Sequence, residues 1–258
     1  MSASELRILD NGEELAREAA DFVLWSGEQA VKSAGTFRLA LSGGATPKAL
    51  YALLAESVLA KRLEWRRVSV FFGDERCVPP DHADSNFRMA NDTLLKPLKI
   101  PQDRVFRMRG EDEPEQAARQ YETSIRKEFG ESAPAWPRFD VILLGLGDDG
   151  HTASLFPGTP ALNERQRLVV PNQAPQGARQ RLTFTVPLIN QARAVVFLVS
   201  GNGKAAALKA VLEDRTADGS RVPAKLVQPE QGRLIWFLDR AAAAELRIEK
   251  QRIVSHEE

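Results

Sequence analysis

Cysteine and histidine are scarce in this chain, and so is any surplus of one charge. One cysteine, Cys77, among 258 residues excludes an internal disulfide. There are only three histidines, and no His/Cys/Asp cluster has metal-ligand spacing. No metal and no cofactor are expected. Lys plus Arg and Asp plus Glu both total 35, which argues against a basic nucleic-acid surface or an acidic tail. Any anion site must therefore be built locally. No run of 18 apolar residues occurs, and no charged segment leads into a short apolar one at the start. A cytoplasmic protein with no membrane or nucleic-acid partner is expected. No G-x-S-x-G sequence occurs, so no nucleophile elbow is implied, and the glycine loop at 41–47 is neither a Walker A nor a G-x-G-x-x-G sequence, so no nucleotide is implied there. With no internal repeat and no flexible linker, residues 1–258 are expected to form one domain, as a monomer or weak homo-oligomer.

What the chain does have is a regular alternation. Apolar runs at 37–41, 68–72, 139–144, 182–186, 194–199 and 234–238 read as strands, several of them covered on both faces. Helical patterns fill the gaps at 13–32, 47–60, 85–95, 114–129 and 203–212. In the first of these Leu15, Ala19, Phe22, Val23 and Ala30 share a stripe. Polar, turn-rich passages at 79–85, 132–137 and 214–223 punctuate the series. This order predicts an α/β fold with a mostly parallel sheet flanked by helices.

Glycine turns follow four of the strand candidates or flank them with charge. Leu143-Leu144-Gly145-Leu146-Gly147-Asp148-Asp149-Gly150-His151-Thr152 delivers two aspartates and a histidine beyond a strand end, where open α/β sheets place their ligands. Histidine suits proton transfer near neutral pH. The plainer alternative is a loop histidine capping a following helix. Ser42-Gly43-Gly44-Ala45-Thr46-Pro47 reads as a strand-to-helix turn with Thr46 as N-cap, and its free amides suit a phosphate. Gly73-Asp74-Glu75-Arg76 reads either as a base with an anion clamp or as a surface salt bridge. Ser85 is a plausible cap for the next helix. Ser200-Gly201-Asn202-Gly203-Lys204 puts a lysine into a helical first turn, against the dipole, which a bound anion would offset. Arg181, just before the strand at 182–186, offers a second cation or merely a solvated strand end. Parallel strands bring such loops to one rim, giving a site for a small phosphorylated molecule undergoing proton transfer.

Three of these segments, with Ser85-Asn86 and Gly203-Lys204 in the same order, resemble the 6-phosphogluconolactonase family. They are Ser42-Gly43-Gly44-Ala45-Thr46-Pro47, Gly73-Asp74-Glu75-Arg76-Cys77-Val78-Pro79 and the stretch from Gly145 through His151-Thr152-Ala153-Ser154-Leu155-Phe156-Pro157. The resemblance implies a three-layer α/β/α Rossmann-like fold and hydrolysis of 6-phospho-D-glucono-1,5-lactone in the oxidative pentose phosphate pathway. It implies His151 as general base, Asp149 orienting it and Asp74 near the reacting end. It assigns Gly43, Gly44, Thr46, Arg76, Arg181 and Lys204 to the sugar phosphate. The related glucosamine-6-phosphate deaminase/isomerase is the first alternative. That enzyme carries a glutamate before the proline of its histidine motif and a tyrosine after its Asp-Glu pair, whereas this chain has Phe156 and Arg76. The second alternative is a non-catalytic sugar-phosphate sensor, which would need an output module. The first helix starts about a dozen residues in, so no room for such a module is expected. His82 and His256 are expected to be solvated.

Overall fold

The computed structural model describes residues 4–130 and 136–247. Its first half contains β1 (Glu5–Leu9), α1 (Gly12–Ala34), β2 (Phe37–Leu41), α2 (Ala45–Leu54), β3 (Val68–Phe72), β4 (Asp74–Arg76), α3 (Asn86–Ala90) and α4 (Pro114–Phe129). The second half contains β5 (Val141–Leu144), β6 (Val169–Gln173), β7 (Gln180–Phe184), α5 (Val186–Asn190), β8 (Ala194–Val199), α6 (Ala205–Leu212) and β9 (Arg233–Asp239). Six strands form a parallel sheet in the order β1-β9-β8-β5-β2-β3. The chain runs outward from β2 to β3 on one side and from β5 to β8 and β9 on the other. Strand order therefore reverses between β2 and β5, where such sheets open a ligand crevice.

Strand periodicity sorts the core into two layers. Leu39, Leu41, Val70, Phe72, Val141, Leu143, Val196 and Phe237 join one buried cluster with α1 and α2. Their neighbours Ala40, Phe71, Ile142, Leu144, Val195, Phe197 and Trp236 join the other, with α4 and α6. Strands β3, β5 and β8 are buried at every residue, as their unbroken apolar runs require. Each fully buried Val, Leu, Ile or Phe contributes about 1.5–3 kcal/mol. Helix ends are set locally. The Asn11 side chain accepts from the Glu13 and Glu14 amides to start α1, and Gly35, at φ 75°, ends it. Among the described residues no helix is long and apolar enough to cross a membrane.

The three-layer parallel fold stands, with corrections at its margins. The run at 182–186 is not a strand of the parallel sheet. It supplies β7, the middle strand of a separate antiparallel sheet ordered β4-β7-β6. Strand β4 is short and has no apolar residue, β6 follows Val169-Val170 with Pro171 and polar residues, and β1 lies at an edge and is only partly buried. The α2 helix starts at Ala45, with Gly44 as N-cap at φ 109° and no side-chain cap, so Thr46 lies inside the first turn instead of capping it. It ends at Leu54, short of residue 60. A 3₁₀ turn at Asn202–Lys204 precedes α6. Most of 132–137, and His256, lie outside the described residues.

Candidate active site

The turn after β5 is closed by its own backbone, with the Gly147 amide donating to the His151 carbonyl at 2.8 Å. Asp149 Oδ1 accepts twice from His151, from the backbone amide at 3.0 Å and from Nδ1 at 2.6 Å. Burial pushes the Asp149 carboxyl up, but these bonds and the charge of the imidazole outweigh it and hold the group below the usual aspartate range. The ring packs on Phe156 at 4.6 Å between centroids. Its other side lies over Gly147, where a Cβ would sit 2.0 Å from Nδ1. Only glycine fits there. No helix follows His151, so the capping alternative fails; 152–158 is irregular, with Ala153 at a left-handed φ of 48°.

The second half of the site comes from the antiparallel sheet. Past Gly73, whose amide bonds to Leu41 of β2, the chain leaves the parallel sheet and pairs as β4 with β7. Period two puts Asp74 and Arg76 on one face, and the register sets Arg76 opposite Arg181 and Asp74 opposite Thr183. Arg181 is thus inside β7, not ahead of it. Asp74 is 7 % exposed; its Oδ2 accepts from Ser154 Oγ at 2.6 Å and its Oδ1 from Asn86 Nδ2 at 3.2 Å. The Nε atoms of Arg76 and Arg181 are buried without a hydrogen-bond partner among the described residues. Burial and then the charge of Arg76 hold the Arg181 guanidinium below its ordinary value, with Asp74 and Glu75 pulling the other way. Adjacent guanidiniums with idle donors are what a bound anion would satisfy.

Glu75 points the other way and is neither base nor surface salt bridge. It is 2 % exposed and accepts from the Arg76, Asn86 and Phe87 amides at 2.7–2.8 Å and from Ser85 Oγ at 3.1 Å. Burial raises its carboxyl above the ordinary range against those bonds. Glu75 fastens the start of α3, which Ser85 caps in turn through the Arg88 amide. His82 is half-exposed beside Asp84.

Asp74, Arg76, Asp149, His151, Ser154, Phe156 and Arg181 line one cleft of about 460 Å³. Asp148 stands at its edge and holds Lys204 Nζ at 2.5 Å. The first-turn lysine is therefore offset by a carboxylate of the chain itself. Gly43, Gly44 and Thr46 do not line the cleft. They follow β2 beside the β5 turn, with Ser42 Oγ facing Gly145 and Gly43 pressed against Asn86, where a Cβ would lie 1.9 Å from Oδ1. Through Asn86 this loop backs Asp74. A larger cleft of about 740 Å³ adjoins across Phe156, but its lining has no Lys, Arg or His to bind an anion or move a proton. Ser154 and Asn86, which hold Asp74, carry no role in the sequence reading; the clue to Ser154 is a hydroxyl inside the run ending Leu155-Phe156. Among the described residues no group of three or more His, Cys, Asp or Glu side chains is placed to hold a metal ion.

Comparison with known proteins agrees in both sequence and shape. A family profile described as glucosamine-6-phosphate isomerases/6-phosphogluconolactonase matches residues 10–236. The chain is 45 % identical over 246 residues to a 6-phosphogluconolactonase of Synechocystis, covering 95 % of this chain and 99 % of that one. It is 43 % identical over 215 residues to the human 6-phosphogluconolactonase, covering 82 % and 81 %. Among solved structures, the 6-phosphogluconolactonase from Trypanosoma cruzi superposes with a TM-score of 0.83 at 32 % identity, over 95 % of this chain and 97 % of that one.

Proposed function

Since the chain belongs to the glucosamine-6-phosphate isomerase/6-phosphogluconolactonase family, we propose that it hydrolyses 6-phospho-D-glucono-1,5-lactone to 6-phospho-D-gluconate, a step of the oxidative pentose phosphate pathway. One observation carries the reading. A His–Asp pair and the guanidiniums of Arg76 and Arg181 line the same cleft. With Nδ1 donating to Asp149, Nε2 of His151 keeps its lone pair for a water. His151 takes a proton from that water as its oxygen attacks C1. The tetrahedral intermediate then collapses, the C1–ring-oxygen bond breaks, and the imidazolium returns the proton to the departing oxygen. Asp149 holds the ring in the required tautomer and stabilises its charged form. Asp74, which lines the same cleft, accepts from a hydroxyl near the reacting end.

Arg76 and Arg181 hold the 6-phosphate. Lys204 joins them by exchanging Asp148 for the phosphate, and the Gly43–Gly44 amides and Thr46 hydroxyl serve as outer contacts. The site draws on residues from 43 to 204, and the chain works as one functional domain.

The test generates the lactone in situ with glucose-6-phosphate dehydrogenase and follows 6-phosphogluconate through its dehydrogenase. Wild type, His151→Ala and an enzyme-free control are compared, because the lactone also hydrolyses spontaneously. Acceleration by wild type alone is expected. No acceleration by folded wild type, or ammonia release from glucosamine 6-phosphate, would overturn the assignment.

A further inference from the structure

We propose that Ser154 is a positioning residue that fixes Asp74 relative to His151, so that the two halves of the site work at one spacing. This rests on the lactonase reading above. The two halves come from different sheets, the base from a turn beyond β5 and Asp74 from β4. Something must set the distance between them, and Ser154 is bound to both sides. It lies three residues past His151, and its hydroxyl donates to Asp74 Oδ2 at 2.6 Å. Its amide donates to Thr183 Oγ1 at 3.2 Å, and its carbonyl accepts from Asn172 Nδ2 at 2.8 Å. All of its polar groups are thus spent on one face of the antiparallel sheet. Thr183 is the register partner of Asp74, and Asn172 that of Arg181.

The segment so held is not relaxed. Ala153, between His151 and Ser154, has a φ of 48°, a region that residues with a Cβ rarely adopt. Such a conformation persists only where its surroundings over-determine it, and Thr152 supplies the other anchor by donating to the Gly145 carbonyl at 2.8 Å. Ser154 is 1 % exposed, and removing its hydroxyl leaves Asp74 with Asn86 as its remaining side-chain donor among the described residues. Asp74 would then be free to rotate away from the reacting end while the cations that bind the phosphate stay in place.

That separation gives the experiment. Ser154→Ala, Ser154→Thr, Asp74→Asn and the Ser154→Ala/Asp74→Asn double variant are purified, checked by circular dichroism and assayed for lactone hydrolysis. Misplacement by about 1 Å costs on the order of 10²-fold in rate. Ser154→Ala is therefore expected to lose about 10- to 100-fold in kcat with KM within about threefold. Ser154→Thr, which keeps the donor, should recover most of the loss. In the Asp74→Asn background Ser154→Ala should add less than about twofold, because residues acting as a unit are not additive. Wild-type kcat in Ser154→Ala, a loss confined to KM, or losses that multiply in the double variant would each overturn the proposal. If Ser154→Ala does not fold, Ser154→Cys, similar in size but a weak donor, replaces it. Failure of both to fold would make the role structural and overturn it equally. Inactive wild type would instead condemn the lactonase reading.

Discussion

The six-stranded parallel sheet and the three-stranded antiparallel one are separated by a single residue, Gly73, yet different forces hold them. Strands β3, β5 and β8 are apolar on both faces and feed two buried clusters. The small sheet has only one such face, with Leu182, Phe184 and Val169 in the core. Its other face carries Asp74, Arg76, Arg181, Thr183 and Asn172; Ser154 bonds to Asp74, Thr183 and Asn172, while the Nε atoms of the two arginines have no partner among the described residues. The large sheet is shaped by burial and offers its loops to the ligand; the small one gives half its surface to the site. Damage should therefore sort by location, into stability for the first and substrate handling for the second.

The largest expected effect tests whether the loops of the stable sheet carry the chemistry. His151→Ala should lower kcat by about 10²–10⁴ while leaving the melting temperature near wild type, since the ring is only partly buried. Full turnover in this variant, measured in the coupled assay, would remove the base. Next comes the interior of the same sheet. Leu143→Ala deletes a fully buried side chain from β5 and should cost about 2–5 kcal/mol in denaturant unfolding. KM should not change at temperatures where the variant stays folded; a changed KM would mean that strain from the core reaches the cleft.

How much was legible in the sequence follows the same division. Strands 37–41, 68–72 and 194–199 are read to the residue, because burial on both faces leaves an unbroken apolar run. The glycine turn carrying Asp149 and His151 is legible because a strand must end there. The small sheet is not. β4 is Asp74-Glu75-Arg76, with no apolar residue, and β6 contains Pro171, which argues against a strand away from an edge. The pairing of Arg76 with Arg181 is fixed by a register between segments some hundred residues apart, which no local pattern encodes. Thr46 fails as a cap for a similar reason: the left-handed Gly44 lets the helix begin earlier than the Thr-Pro signal suggests.

A smaller effect sharpens the comparison from the other side. Arg181→Gln removes a guanidinium that burial and Arg76 disfavour, and with it a donor that has no partner among the described residues. Stability should hold or rise slightly. Losing a charge-assisted bond of about 1.5–3 kcal/mol should raise KM by roughly 10- to 100-fold, with a lesser effect on kcat. A variant that melts well below wild type with unchanged KM would show that this arginine serves the fold, and the division between the sheets would fail at that point.

The smallest effect concerns pH and Asp149, a carboxylate that the turn after β5 holds in place. Asp149 has its carboxyl below the ordinary aspartate value of 3.8 in the folded chain, so folding favours the ionised form. Its contribution to stability is fully present above 3.8 and is lost as the pH falls through the lower folded value. The side chain is 42 % exposed, and solvent screening keeps the effect under about 1 kcal/mol. Melting curves between neutral pH and the acid limit should show Asp149→Asn slightly less stable than wild type above 3.8, the two converging below it. A gap of constant size down to the lowest pH would mean that the asparagine disrupts the turn through the His151 amide instead. Asp149 would then act on the backbone as well as on the imidazole, and the large sheet's loop would depend on hydrogen bonds as heavily as the small sheet does.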